Sequence, residues 1–180
     1  MKKLPLLISC SLLCIAQVLS AQQAQRGPVI EDFGPTYSFE ELDYRPNPNH
    51  TYQVIFDIAT GAEDPAAINK RIETLARFYN MHVTSGVPLE KLKPIAVLHG
   101  TAAKDALNRE LYQDRYGVPH PNARLIKRLV EAGAEIYLCA QSAGARDLPI
   151  DQLLPDVKLA LSAMTVLIDK QGEGYRLIRF

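Results

Sequence analysis

Cysteine is scarce in this 180-residue chain, and the positions of its three copies exclude an internal disulfide. Cys10 and Cys14 fall in an N-terminal run that reads as a removable leader, leaving Cys139 alone in the remainder. In an exported protein an unpaired thiol is buried and inert, bonded between molecules, or kept for its reactivity. A surplus of positive charge is missing too. The chain has 20 basic and 20 acidic residues, and loss of Lys2 and Lys3 with the leader leaves 18 against 20. With the charges mixed along every segment, a nucleic-acid partner is excluded, because phosphate-backbone binding needs Lys and Arg gathered on one face. No apolar run suits a membrane span of ~20 residues; the run Leu4 to Leu19 is broken by Pro5, Ser9, Ser11 and Gln17. No strand is followed by a Gly-rich phosphate loop, and there is no Gly-x-Ser-x-Gly or His-Glu-x-x-His. His50, His82, His99 and His120 are not spaced as paired ligands on one helix face. Neither a metal nor an organic cofactor is expected.

What is present begins with Lys2 and Lys3, an apolar core and an abrupt turn to polar residues, the three-part pattern of a secretory signal peptide. Residues 1–20 are read as that signal, cut near Ser20 or Ala21, so that the mature protein is exported, periplasmic and without a membrane span. A competing reading takes Leu7-Ile8-Ser9-Cys10 as a lipoprotein box with Cys10 lipidated, but the apolar segment before Cys10 is short for that role. The composition, 47% apolar and 22% charged, suits one ordinary globular domain.

Residues 21–50 carry Gly-Pro twice and Arg45-Pro46-Asn47-Pro48-Asn49, with no apolar period, and read as an irregular arm. Phe33, Tyr37, Phe39 and Tyr44 give that arm apolar surface to lay on the core or on a neighbouring subunit. Residues 51–180 form the domain. Tyr52 to Ala59 is a strand apolar on both faces. Asp64 and Pro65 are placed to open a helix through Ile68, Ile72, Leu75, Ala76 and Tyr79. Ile95 to Leu98 is a second strand, and a helix is expected between Ala102 and Tyr112. Pro121-Asn122 introduces another that Gly133 stops. Ala134 to Cys139, Val157 to Ala160 and Tyr175 to Phe180 complete the strands, with a helix from Leu161 to about Lys170. This alternation implies βαβ units, hence an α/β fold with a mostly parallel sheet between two helix layers. Ligands of such sheets sit at the carboxyl ends of the strands, the rim that holds Thr60-Gly61, His99-Gly100 and Cys139 to Ser142.

Cys139 ends a strand and is followed by Ala-Gln-Ser-Ala-Gly, small residues that let a loop curl its N–H groups toward the sulfur and favour the thiolate. The alternative is a cysteine packed as a small hydrophobe. His99 closes the second strand, within reach of Cys139 as base or charge partner if the two strands are adjacent; the alternative is a histidine hydrogen-bonded to loop backbone. His82 belongs at the opposite rim, with Asn80 in a structural role. Asp57, an acid inside an apolar strand, requires a partner, and a structural hydrogen bond is its expected role.

The residues resemble the exported branch of the DsrE/DsrF-like family. The likeness runs through Gly27-Pro28-Val29-Ile30, Val54 to Asp57, Asn80-Met81-His82, Val97-Leu98-His99-Gly100, Leu138-Cys139-Ala140-Gln141-Ser142, Leu161-Ser162-Ala163-Met164-Thr165 and Gly174-Tyr175. The resemblance implies a three-layer flavodoxin-like fold and a homo-oligomer, trimer or hexamer. In cytoplasmic sulfur-relay members a cysteine at the position resembling Cys139 accepts a persulfide and hands it to a partner. It therefore implies a sulfur carrier or sulfurtransferase acting through Cys139, with His99, Gln141 and Ser142 shaping the sulfur's surroundings, and with sulfur donor and acceptor proteins as partners. Gln141 and Ser142 depart from the residues of relay members. The alternative is an oligomeric binding protein for a small anion or partner, with Cys139 structural.

Overall fold

Val54-Ile55-Phe56 sends apolar side chains to both faces, which suits only a strand covered on each side. In the computed structural model, which describes residues 23–180, this segment is β1 (Tyr52–Ile58), buried from Val54 onward. The remaining strands are β2 (Leu92–Leu98), β3 (Glu135–Cys139), β4 (Val157–Ala160) and β5 (Arg176–Arg179). They form one sheet in the order β4-β3-β2-β1-β5, and every neighbouring pair is parallel. The expected leader, with Cys10 and Cys14, lies outside the described residues.

The helices are α1 (Lys70–Thr84), α2 (Arg109–Tyr116), α3 (Ala123–Glu131), a single turn α4 (Ala140–Gly144) and α5 (Ala163–Gly172). The two faces of the sheet are covered unequally. Helices α1 and α3 pack Leu75, Ile72, Leu125 and Leu129 against Phe56, Leu98 and Leu138, in the larger core cluster. On the other face α5 alone supplies Ala163 and Val166 to Ile55, Ile95, Val97 and Cys139. Side chains alternate along a strand, so Asp57 shares the α5 face with Ile55, and His99 shares it with Val97.

Three local expectations are corrected. Helix α1 starts at Lys70, capped by Asn69, whose side chain accepts from Arg71 N. Asp64 instead accepts from Ala66 N at 2.9 Å and closes a turn. Either residue is chemically a cap; Asn69 prevails because Asn122 and Asp105 hold it in the core at 2.9 and 2.8 Å. Between Ala102 and Tyr112 the chain is a 3₁₀ segment (Gly100–Ala106) followed by α2, the break falling at Asn108, which caps α2 by accepting from Leu111 N. The stretch after Cys139 is a helical turn, not a loop.

Residues 23–51 form no regular element beyond a bridge between Gln25 and Thr36. Most of the arm's hydrogen bonds to the domain converge on one side chain, with Glu73 accepting from Gly34 N and Arg124 pairing with Asp32 beside it. Asn80 is fully buried on α1; its Oδ1 accepts from Val29 N and Ile30 N, and its Nδ2 donates to the carbonyls of Ile30, Phe33 and Gly34. Gly34 sits at φ 65° against the helix, where a Cβ would lie 2.4 Å from Arg77 N. No side chain but hydrogen fits that approach.

Candidate functional site

Parallel pairing sets Leu98 opposite Leu138 and Asp57 opposite Val97. Asp57, His99 and Cys139 therefore come from three adjacent strands, on one face, at the carboxyl rim. No residue in this set is close to another in sequence; the sheet register brings them together.

Cys139 is the residue preceding α4, and the α4 turn aims the N–H groups of Gln141 and Ser142 back at the sulfur. The N–H of Ala163, at the start of α5, reaches it from the other side. Burial pushes the thiol up, with 4% of Cys139 exposed, but the Ser142 hydroxyl and these three backbone donors outweigh it, and the net direction is down. The Ser142 hydroxyl is itself oriented: its Oγ accepts from Gly100 N at 3.1 Å, leaving its proton for the sulfur. Gln141 does not contact the sulfur through its amide. Its Nε2 donates to Leu161 O at 3.3 Å and ties α4 to the segment that leads into α5.

His99 makes one side-chain hydrogen bond, from Nε2 to Asp57 Oδ1 at 2.5 Å, and none to Cys139. Asp57 is 7% exposed and also meets Arg179 on β5, Oδ2 to Nε at 3.4 Å. A carboxylate accepts only, so Nε2 carries the proton of this bond and the ring's orientation is fixed. His99 remains partly exposed, an imidazole held in one orientation beside the strand that ends in the thiol. Sequence reasoning did not reach Arg179 or the Ala163 N–H. The one available signal was Asp57 itself, an acid in a run of buried apolar residues that requires a partner.

His82 lies at the far rim, its Nδ1 2.8 Å from Phe78 O and its ring against Tyr52 and Phe78. Its distance from Cys139 follows from the antiparallel run of α1 against β1. No cluster of three or more metal-ligating side chains occurs among the described residues, and no helix among them is long and apolar enough to cross a membrane.

A family model described as the DsrE/DsrF-like family matches residues 53–180. Among solved structures, MTH1491 from Methanobacterium thermoautotrophicum, a protein of unknown function, is 19% identical with a TM-score of 0.54; the match covers 72% of this chain and 99% of that one. The ychN protein of E. coli is 11% identical with a TM-score of 0.49, covering 72% of this chain and 99% of its own. No curated protein matches the sequence. The likeness to MTH1491 is one of fold.

Proposed function

Because the chain belongs to the DsrE/DsrF-like family, generally tied to sulfur relay, we propose that it is an exported, periplasmic sulfur carrier acting through Cys139. The observation that carries the reading is the sulfur's hydrogen-bonding: one oriented hydroxyl and three backbone N–H groups lower the pKa of a thiol that burial alone would raise. In the step this favours, the Cys139 thiolate attacks the outer sulfur of a donor persulfide or polysulfide. A new S–S bond forms, the donor's own S–S bond breaks, and the donor thiolate leaves with the electron pair and takes up a proton from water. An acceptor thiolate then removes the terminal sulfur by the same displacement, with no net oxidation. The same N–H donors suit the persulfide anion between the two steps. His99, oriented by Asp57, stands at the same rim as the thiol and shapes its surroundings.

The test is intact mass measurement of the mature protein after incubation with polysulfide and alkylation, with Cys139→Ser beside it. A reductant-reversible gain of one sulfur, ~32 Da, absent from the variant, supports the reading. A native protein that neither gains sulfur nor alkylates until unfolded overturns it. That second outcome belongs to a binding protein with Cys139 structural, a reading favoured by one observation, the packing of Cys139 among Ile55, Ile95, Val97 and Val166.

Homo-oligomerisation is part of the proposal. Leu161, Met164 and Ile168 are 71%, 70% and 69% exposed on and beside α5, an apolar stripe that a second copy would cover. Ile168→Glu is expected to give a smaller species by light scattering than the parent; a monomeric parent sinks this element.

A further inference from the structure

Lys104 is the feature that the sulfur reading leaves unused. It stands on the 3₁₀ segment, its side chain only 13% exposed, and its ammonium donates to Asp105 Oδ1 at 3.0 Å and to Tyr112 OH at 3.1 Å. An ammonium has three N–H donors, so one is unspent. Asp105 beneath it is fully buried and takes two more hydrogen bonds, from Asn69 Nδ2 at 2.8 Å and Asn122 Nδ2 at 3.2 Å. The Tyr112 hydroxyl donates onward to Pro65 O at 2.8 Å. Stability alone does not explain such a cluster, because apolar side chains of similar volume serve a core as well or better than a buried ion pair. What the cluster achieves is to fix one cation at the protein's rim.

That cation lines a cavity of about 700 Å³, within the size range of small-ligand sites. Its walls are the loops after β1 and β2, the end of α2 and the turn after α4, so it lies at the carboxyl rim where open parallel sheets take ligands. Arg115 and Arg146 join Lys104 in the lining against a single carboxylate, Glu63, while Tyr116 and Leu148 give an apolar floor. The turn carrying Arg146 is set. Arg115 Nη2 donates to Asp147 O at 2.5 Å, and Asp147 takes φ 50°, the one positive φ outside glycine among the described residues. Arg146 itself is exposed, and its backbone N–H donates to Ala143 O at 3.2 Å, which leaves the guanidinium for a ligand. Gly61 completes the wall, where a Cβ would lie 2.7 Å from Thr101 O and 3.0 Å from Lys104 Cε. Cys139 is not in the lining, and its sulfur faces α5 on the other side of the sheet.

We propose that this cavity binds a small organic acid, its carboxylate or phosphate end held by Lys104, Arg115 and Arg146 and its body lying on Tyr116 and Leu148. Both anions present planar or clustered oxygens that suit paired guanidinium and ammonium donors. Glu63, the one carboxylate of the lining, is available to accept from a hydroxyl or ammonium of such a ligand. The site does not depend on the sulfur chemistry of Cys139.

The experiment is calorimetric titration of the mature protein with citrate, succinate and glycerol phosphate, with sodium chloride at matched ionic strength as control. Saturable heat with at least one of the three acids, absent with chloride, is expected, and the acid that responds identifies the end group. Arg146→Glu, an exposed change that leaves the buried cluster alone, should weaken that binding at least tenfold, whereas Cys139→Ser should leave it unchanged. Lys104→Gln should abolish it, with folding verified by circular dichroism. No saturable binding by any of the acids, or equal binding by parent and Arg146→Glu, overturns the proposal.

Discussion

Asp57 Oδ1 and His99 Nε2 meet at 2.5 Å across the neighbouring strands β1 and β2, and Arg179 approaches the other carboxylate oxygen from β5 on the opposite side. One carboxylate thus orients the imidazole next to the thiol strand and joins the middle of the sheet to its edge. Asp57→Asn keeps the shape and removes the charge. Loss of one charge-assisted hydrogen bond is expected to cost roughly 1–3 kcal/mol in urea unfolding. The exposed Arg179 contributes little of that. The same variant should slow sulfur uptake by Cys139 at neutral pH, by mass spectrometry, while the protein stays folded.

Ser142 passes a hydrogen bond from Gly100 N to the Cys139 sulfur. Ser142→Ala removes the strongest of the groups that lower the thiol's pKa, leaving burial less opposed, so the pKa moves up. Alkylation of the native protein at pH 7 should slow several-fold, because the thiolate is the reacting form. An unchanged rate would show that the backbone donors alone set the thiolate.

His120 is stacked on Tyr112 at 4.1 Å, and its Nδ1 accepts from Asn122 N. Burial pushes its pKa down to about 4 from an ordinary 6.5. As pH falls below 6.5 the unfolded chain takes up a proton that the folded one refuses, and folding weakens until the folded histidine also titrates near 4. The loss across that window is about 3 kcal/mol. His82, lowered by burial as well, adds in the same direction. Urea titrations at pH 7 and pH 4.5 should differ accordingly, and His120→Gln should narrow the difference.

Asn80→Ala would leave five arm contacts without their partner. With the arm's amides and carbonyls buried against α1, the expected cost is about 2–4 kcal/mol. Limited proteolysis should then cut between residues 27 and 36 in the variant and spare the parent.

The strands and the parallel sheet were legible because β-branched and apolar runs such as Val54-Ile55-Phe56 and Ile95 to Leu98 carry their period locally. Gly133, at φ 101°, was equally readable as the stop of α3. The start of α1 was not. Asp64-Pro65 and Asn69 are both valid openings, and the choice is made by Asn122, 53 positions away. The site divides the same way. Cys139 and Ser142 share one helical turn and announce each other in sequence. Asp57, Arg179 and the Ala163 N–H come from β1, β5 and α5, and only the sheet register places them together. The unequal helix layers were invisible as well, because a buried strand reads alike whether one helix or two cover it.

The strand order gives synthesis a direction. β1 emerges first, yet one of its edges is closed only by β5, the last strand, and the Cys139 face has no cover until α5 has been made. A chain whose synthesis has not yet reached α5 therefore holds Cys139 without the Ala163 donor and without the helix above it. The surroundings of this sulfur are complete only when the last helix is, so an alkylating agent met before that point and one met afterwards encounter chemically different groups.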